Sequence, residues 1–217
     1  MTHEFGVYLV TGADLSAGRS TVDIVEAAVR GGVDVVQLRE KYATARERYE
    51  LGAQLRELTD QADVPLIVND RVDLALAIDA DGVHLGDEDL PVGVARTQLG
   101  GDAIVGRSVS TPEAAREAER EGADYLGVGA VFATDSKDVD PEEAEVGLGT
   151  VEAIREATDL PFVGIGGITP ANATDVVAAG ADGVAVISAI TAADDPEAAT
   201  RELAAAVERG REVTAGV

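Results

Sequence analysis

The chain has 217 residues, 46% of them hydrophobic, and its 41 acidic and 17 basic residues give a formal net charge of −24. This charge argues against a general affinity for nucleic acid or anionic membranes, and no run of about eighteen apolar residues predicts a membrane span. The sequence lacks cysteine, which excludes disulfides and thiolate chemistry, and 1–8 does not resemble a signal peptide, so a cytoplasmic protein is expected.

Eight short apolar segments alternate with amphipathic helical segments along the chain. The predicted strands are 5–10, 33–38, 64–68, 82–85, 103–106, 124–130, 161–165 and 182–188. The predicted helices are 21–30, 44–62, 72–78, 91–99, 112–122, 147–158, 170–180 and 196–211, and an acidic loop spans 131–146. This alternation predicts an α/β protein, most simply a single (β/α)8 TIM barrel over 1–217. A doubly wound open sheet is the competing fold, weakened because no G-x-G-x-x-G follows the first strand.

A partial repeat supports the barrel. Four short glycine- or alanine-containing segments, each with an aspartate, lie between a helix end and an apolar run, before the second, fourth, sixth and eighth strands. They are Gly32-Val33-Asp34, Ala80-Asp81-Gly82, Gly122-Ala123-Asp124 and Gly180-Ala181-Asp182. The pattern indicates stacked units of two strands and two helices.

Two carboxylates follow neighbouring predicted strands. Asp70 follows the third strand and Asp89 the fourth, at the barrel face where the carboxyl ends of the strands carry the chemistry. Two carboxylates with water and phosphate oxygens are typical of an Mg²⁺ shell, so one Mg²⁺ per subunit is expected. The competing interpretation is two solvated aspartates in a very acidic chain.

The positive charges are unevenly distributed. Fifteen of the 17 basic residues are arginine, and the two lysines, Lys41 and Lys137, both follow strands on the predicted catalytic face. Together with Arg39 they could hold a diphosphate. No strong nucleophile or base is evident, and His84, at a strand end, is interpreted as a packing or positioning group.

The segment 160–190 predicts a second anion site. Gly166-Gly167 allows a sharp turn after the seventh strand and leaves backbone N–H groups open to an anion. Thr169 is a candidate N-cap and Pro170 a candidate first helical residue. With Ser188 after the eighth strand, this predicts a monophosphate site. Two anion sites facing one cavity indicate two phosphorylated small-molecule substrates, of which one could lose diphosphate.

Several short motifs occur in a fixed order along the chain. They are Gln37-Leu38-Arg39-Glu40-Lys41, Asn69-Asp70-Arg71, Asp81-Gly82-Val83-His84-Leu85-Gly86, Glu88-Asp89-Leu90-Pro91, Gly106-Arg107-Ser108, Thr134-Asp135-Ser136-Lys137 and Gly164-Ile165-Gly166-Gly167-Ile168. Together they resemble the thiamine phosphate synthase family over nearly the whole chain, whereas the last motif alone is shared by many phosphate-binding barrels.

The resemblance implies a (β/α)8 barrel that joins hydroxymethylpyrimidine diphosphate to a thiazole phosphate. It implies that the pyrimidine diphosphate is bound by Gln37, Leu38, Arg39, Glu40, Lys41, Asn69, Ser108 and Lys137, of which Arg39, Lys41, Ser108 and Lys137 carry catalysis. It implies that the thiazole phosphate is bound by Thr134, Asp135, Ser136, Gly167, Ile187 and Ser188. Asp70 and Asp89 would hold Mg²⁺.

Three positions depart from the family pattern. Ser110 stands where the family usually has histidine, Asp87 where it usually has glutamine, and Asp138 where it often has a second lysine. The last two add negative charge near the diphosphate site, so they could alter metal affinity or the salt optimum.

Two other functions stay open on the sequence. A thiazole tautomerase resembles the synthase in fold but does not use this metal and diphosphate set, and a non-catalytic thiamine phosphate binding protein would bind the product without turnover. Assembly into a homo-oligomer is compatible with the sequence. Acidic residues are spread over all the predicted helices except 91–99, which we interpret as adaptation to high salt, where screening weakens self-repulsion.

Overall fold

The computed structural model describes residues 5–134 and 145–215. The strands are β1 Val7–Val10, β2 Val35–Leu38, β3 Leu66–Asn69, β4 Gly82–Leu85, β5 Ile104–Val109, β6 Tyr125–Gly129, β7 Phe162–Ile165 and β8 Gly183–Val186. The helices are α1 Thr21–Gly31, α2 Ala45–Ala62, α3 Val72–Ala77, α4 Val92–Leu99, α5 Pro112–Glu121, α6 Gly147–Ala157, α7 Ala173–Ala178, α8 Ser188–Thr191 and α9 Pro196–Ala215. A 3₁₀ turn, Ala13–Leu15, follows β1.

The strands form one closed parallel barrel in chain order. Each strand pairs with the next, and β8 pairs with β1, where Ala185 lies opposite Tyr8. The predicted (β/α)8 barrel is confirmed, and the open doubly wound sheet is wrong. None of the helices that the structure describes has both the length and the hydropathy needed to cross a membrane.

The helix starts follow from capping chemistry. The Ser20 side chain accepts a hydrogen bond from the backbone of α1, and Thr44 forms a capping box with Glu47 at the start of α2. Thr111 caps α5, with Pro112 in the first turn, where proline's missing N–H costs nothing.

The predicted boundary of the fifth strand is wrong. The strand was expected to end at residue 106, but β5 continues to Val109, so Arg107 and Ser108 lie within it. Ser108 pairs with Gly127 of β6, and this pairing extends the strand. Ser108 is therefore fixed by the sheet rather than by a loop.

Two boundaries near the glycine turn also differ from the prediction. The helix expected from Pro170 begins at Ala173, because the Asn172 side chain accepts a hydrogen bond from the Thr169 backbone and forms a turn first (2.8 Å). Thr169 is therefore not the N-cap. The eighth strand ends at Val186, and Ser188 begins the short helix α8.

The apolar side chains form two layers. Successive strand residues point to opposite faces, so Tyr8 lies inside the barrel while Val7 and Leu9 pack toward the helices. The inner layer contains Phe5, Tyr8, Val10, Val35, Ile67, Ile104, Tyr125, Val163, Ala185 and Ile187. This layer fills the barrel interior.

The repeated aspartates lock the amino-terminal edge of the barrel. Each precedes an even-numbered strand, and its carboxylate accepts a hydrogen bond from the backbone of the strand before. The bonds are Val7 to Asp34 (2.6 Å), Leu66 to Asp81 (2.7 Å), Val105 to Asp124 (2.7 Å) and Phe162 to Asp182 (2.8 Å). Arg56, Arg96 and Arg155 bind Asp81, Asp124 and Asp182 from α2, α4 and α6. The sequence repeat therefore has a structural role, at the end opposite the polar strand ends.

Candidate active site

A cavity of about 420 Å³ opens at the carboxyl ends of the strands. Its lining includes many of the residues predicted to bind substrate, namely Gln37, Arg39, Asn69, Ser108, Thr134, Gly167, Ile187 and Ser188. A smaller cavity of about 130 Å³ shares Arg39 and Asn69 with it and is also lined by Lys41 and Asp70. The sequence prediction that these groups converge on one face is consistent with this placement.

Asp70 and Asp89 form a carboxyl pair at the rim. The two carboxyl groups lie close enough together that Asp89 raises the pKa of Asp70. Asp70 is held because its N–H donates to the backbone oxygen of His84 (2.8 Å), and it adopts a left-handed conformation (φ 64°) that aspartate tolerates better than most residues. Asp89 is held because its Oδ2 accepts the N–H of Gly86 (2.6 Å).

The environment of Asp70 favours its neutral form. Loss of solvation raises the pKa of Asp70 to about 6, and the hydrogen bond and negative charge of Asp89 act in the same direction. Nearby Arg39 and Lys41 lower this pKa in part. Two carboxylates so close repel each other when both are ionised, and a bound cation would relieve that repulsion.

Few protein groups at the Asp70–Asp89 pair could serve as metal ligands. Within 5–134 and 145–215, no group of three or more histidine, aspartate or glutamate side chains is placed to hold a metal ion. Mg²⁺ is commonly held by one or two carboxylates, with water and substrate phosphate completing its shell. Asp70 and Asp89 fit that chemistry.

The segment after β2 carries the cations. Arg48 on α2 donates from Nε to the backbone oxygen of Glu40 (2.7 Å) and from its terminal nitrogen to that of Lys41 (2.8 Å). The buried Glu40 carboxylate accepts the N–H of Ala13 (2.9 Å). These bonds fix the backbone that presents Arg39 and Lys41 beside Asp70.

A chain of polar side chains crosses the floor of the cavity. Gln37 Nε2 donates to the Tyr8 hydroxyl (2.7 Å), and the Tyr8 and Tyr125 hydroxyls are 2.8 Å apart. His84 Nδ1 lies 3.0 Å from the Tyr125 hydroxyl, and His84 Nε2 lies 2.9 Å from Ser108 Oγ. The chain links two residues predicted to bind the pyrimidine.

The glycine turn after β7 is tightly packed. Gly166 and Gly167 both have positive φ, of 101° and 62°. A Cβ on Gly167 would lie 2.6 Å from the Ala133 carbonyl oxygen, so no side chain fits there. The Asn172 amide donates to the Gly167 carbonyl oxygen (3.0 Å), which fixes the turn against the cavity. The predicted sharp turn is present.

Comparison with known proteins decides the family. The chain matches the family described as Thiamine monophosphate synthase over residues 7–190. The chain belongs to this family. It is 75% identical over 208 residues to the thiamine-phosphate synthase of Natronomonas pharaonis, covering 96% of this chain and 97% of that protein. It is 69% identical to the thiamine-phosphate synthase of Haloarcula marismortui, covering 96% and 99%.

A solved structure agrees with the sequence relatives. The thiamine phosphate pyrophosphorylase of Pyrococcus furiosus superposes with a TM-score of 0.87 at 43% identity, covering 96% of this chain and 98% of that one. The family, the enzyme class of transferase and the barrel predicted from the sequence are thereby confirmed. The first two relatives come from halophilic archaea, whereas salt adaptation of this chain stays a prediction.

The structure gives two residues of the family motif other partners. The Leu38 side chain is buried in the outer apolar layer, and the Glu40 carboxylate is bonded to Ala13 and to the Thr21 hydroxyl (3.2 Å). Both residues line the smaller cavity. Their contribution to the site is therefore mainly to hold the segment. Asp135, Ser136 and Lys137, with most of the predicted loop 131–146, lie outside the described residues.

The departures from the family pattern lie at the rim. Asp87 is exposed and pairs with Arg107 (2.7 Å), so part of its added negative charge is balanced. Ser110 is exposed, directly after β5. Asp138 lies outside the described residues.

Sequence reasoning did not single out Tyr8 and Tyr125. Both line the cavity and both are buried, although their hydroxyls carry the floor chain. The available signal was a tyrosine inside an otherwise apolar strand, since a buried tyrosine hydroxyl usually has a partner. His84 was predicted to be a packing or positioning group, and its contacts agree with the second role.

Proposed function

We propose that this protein is a thiamine phosphate synthase. It condenses 4-amino-2-methyl-5-(diphosphooxymethyl)pyrimidine with a thiazole (carboxy)ethyl phosphate and releases thiamine phosphate and diphosphate. The observation that carries the proposal is the convergence of Asp70, two cations and a glycine turn on two cavities that share Arg39 and Asn69 at one barrel end. Both substrates are small phosphorylated molecules, in keeping with the family.

Asp70 and Asp89 are proposed to hold one Mg²⁺. The support is their mutual contact and the raised pKa of Asp70, both of which a divalent cation would compensate. When bound, Mg²⁺ supplies neutralisation of negative charge on the diphosphate. Asn69, which lines both cavities, lies next to this pair.

Arg39 and Lys41 are proposed to bind the diphosphate oxygens. Both lie close enough to Asp70 to lower its pKa, so a diphosphate bound there would lie between the cations and the carboxyl pair. Gln37 and Ser108 on the floor are proposed to orient the pyrimidine ring. Lys137 is assigned to the same diphosphate by the family resemblance alone.

The thiazole phosphate is proposed to bind across the cavity. Thr134, Gly167, Ile187 and Ser188 line that side, and the turn at Gly166 and Gly167 leaves room for an anion against the backbone. Asp135 and Ser136 are assigned to this half by the resemblance. This arrangement puts the two anions at different edges of one cavity.

The reaction breaks the bond between the pyrimidine methylene carbon and the diphosphate oxygen, and it forms a bond from that carbon to the thiazole nitrogen. The diphosphate leaves with the bonding electron pair, and the thiazole nitrogen supplies the new pair. Arg39, Lys41 and Lys137 stabilise the charge on the leaving group. The aminopyrimidine can carry positive charge at its methylene carbon, so departure can precede attack and no protein nucleophile is required.

The first experiment is diphosphate release from the purified protein in molar KCl with Mg²⁺ and both substrates. Release that requires both substrates, and that stops with EDTA, is expected. A thiazole tautomerase would give no diphosphate. A binding protein would bind thiamine phosphate tightly without turnover.

Three further points are part of this proposal. The protein functions in the cytoplasm, and its surface is adapted to high salt, as its net charge of −24 indicates. Assembly into a homo-oligomer is compatible with the sequence and is tested by light scattering in molar KCl.

A further inference from the structure

The polar chain on the cavity floor has a direction. A tyrosine hydroxyl has one proton to donate, and a neutral imidazole donates from one nitrogen and accepts at the other. Because Gln37 Nε2 donates to Tyr8, the Tyr8 proton is available for Tyr125. The Tyr125 hydroxyl then donates a hydrogen bond to His84 Nδ1, and His84 Nε2–H donates to Ser108.

We propose that Tyr8, Tyr125 and His84 are positioning residues that fix this direction, so that Gln37 presents an acceptor oxygen and Ser108 a donor hydroxyl to the substrate. The inference rests on the proposed function and concerns how its pyrimidine half is selected. In the direction described, every hydroxyl and ring nitrogen of the chain has a complementary partner. The Gln37 amide nitrogen faces the Tyr8 hydroxyl. In the opposite direction, the Tyr8 oxygen would accept from both Gln37 and Tyr125, and the Tyr8 proton would have no acceptor along the chain.

The two tyrosines of this hydrogen-bonded chain are buried and closely packed. Tyr8 is 1% exposed and Tyr125 is fully buried. Burial raises the pKa of both tyrosines far above the ordinary value, so both hydroxyls keep their protons. Hydrogen bonds are strengthened in such low-dielectric surroundings, and an unmatched donor there is costly.

Two glycines make room for the chain. A Cβ on Gly106 would lie 2.2 Å from a Tyr125 ring carbon, and a Cβ on Gly127 would lie 3.0 Å from the His84 ring. Phe5 stacks on the Tyr125 ring at 4.8 Å between centroids. The rings are therefore held in place from several sides, as a positioning function requires.

The direction matches an aminopyrimidine. Gln37 and Ser108 come from β2 and β5, which are separated by two strands on the barrel wall. A 4-aminopyrimidine has an amino donor at C4 and an acceptor nitrogen, N1, across the ring from it. The acceptor on Gln37 and the donor on Ser108 complement these two groups. A 4-oxo analogue would place a carbonyl oxygen against the Gln37 oxygen.

The first test determines the direction of hydrogen-bond donation along the chain and does not require an enzyme assay. The protein has two histidines, His3 and His84. The variant His3→Gln identifies the NMR signals of His3, so ¹⁵N-histidine NMR then gives the tautomer of His84. We expect Nε2 protonated and Nδ1 unprotonated in the wild type. A ring protonated at Nδ1 alone would mean that the chain runs the other way and would overturn the proposal.

The second test interrupts the chain of hydrogen bonds at Tyr125. Tyr125→Phe keeps the ring on Phe5 but removes the hydroxyl, so Gln37 and His84 lose their link and the His84 tautomers become mixed. The preference in kcat/KM for the amino over the 4-oxo pyrimidine diphosphate is expected to fall about tenfold, the effect of one net hydrogen bond. Tyr49→Phe, at an exposed tyrosine of α2, is the matched control.

The outcomes separate the two proposals. An unchanged preference and tautomer in folded Tyr125→Phe would refute the positioning role while leaving synthase activity intact. Absence of diphosphate release from either pyrimidine would refute the proposed function, and the NMR measurement would still decide the direction of the chain.

Discussion

Asp89, in the loop after β4, lies close enough to Asp70, directly after β3, to raise the pKa of the Asp70 carboxyl group. Adjacent parallel strands bring these two loops together. The contact joins two groups of like charge, which is unfavourable near neutral pH unless a proton or a cation lies between them. Two measurements follow from this pair.

Asp70→Asn and Asp89→Asn should each weaken Mg²⁺ binding about tenfold or more, because each removes one of two charged oxygen ligands. The Mg²⁺ concentration that gives half-maximal diphosphate release measures this effect. Asp102→Asn is the control, since Asp102 is an exposed carboxylate before β5, at the opposite end of the barrel. Equal Mg²⁺ dependence in Asp70→Asn and wild type would remove Asp70 from the proposed metal site.

The pair should also make stability depend on pH. The pKa of Asp70 is raised from 3.8 to about 6, so the neutral form stabilises the folded state. That stability is present below the unfolded pKa and is lost as the pH rises through about 6. Without Mg²⁺, the melting temperature of Asp70→Asn relative to that of the wild type should therefore increase as the pH rises from 4 to 8.

Asp87→Asn should show no such gain across that pH range. Added Mg²⁺ at pH 8 should stabilise the wild type and not Asp70→Asn. Parallel melting-temperature curves for wild type and Asp70→Asn from pH 4 to pH 8 would contradict the raised pKa.

Gly167→Ala should impair the thiazole half of the reaction. A Cβ there would meet the Ala133 carbonyl oxygen at 2.6 Å, and the positive φ adds about 1–2 kcal/mol of backbone strain. The KM for the thiazole phosphate should rise more than the KM for the pyrimidine diphosphate. Gly93→Ala is the control, because a Cβ there would meet no atom within 4 Å. Equal effects on both substrates would argue against a phosphate site at this turn.

Asp124→Asn should lower stability and leave the chemistry unchanged. The Asp124 carboxylate accepts the Val105 N–H (2.7 Å) and binds Arg96 (2.5 Å) at the amino-terminal edge. Weakening a charge-assisted pair of bonds should cost about 1–3 kcal/mol of unfolding free energy, measured in urea. Asp102→Asn, at an exposed residue preceding β5, is expected to have little effect. A changed KM for either substrate would show that this edge communicates with the site.

Unfolding against KCl concentration tests the salt adaptation. With a net charge of −24, self-repulsion should destabilise the protein at low ionic strength, and screening should restore stability as KCl rises. The midpoint of thermal unfolding should therefore increase over the range from 0.1 M to molar KCl. Full stability at low ionic strength would argue against the interpretation.

The sequence by itself determined the order of strands and helices, favoured a closed barrel over an open sheet, and predicted which polar residues follow the strands. These follow from local signals: apolar runs of strand length, caps such as Thr44, glycine at turns and polar residues after strands. A parallel barrel then brings all strand ends to one face, so Asp70, Asp89 and Arg39 could be placed together without coordinates.

The tertiary structure alone decided which side chains touch. Tyr8 and Tyr125 are 117 residues apart in the sequence. Their hydroxyls meet only because both side chains, from β1 and β6, point into the interior of the closed barrel at the same level. The extension of β5 through Ser108 and the partner of Glu40 at Ala13 depend in the same way on pairing and hydrogen bonds between separate segments. The start of α7 at Ala173, by contrast, follows from the local turn that Asn172 forms with Thr169. Local periodicity does not carry that information, because it records the face of a strand and not the residue across the barrel.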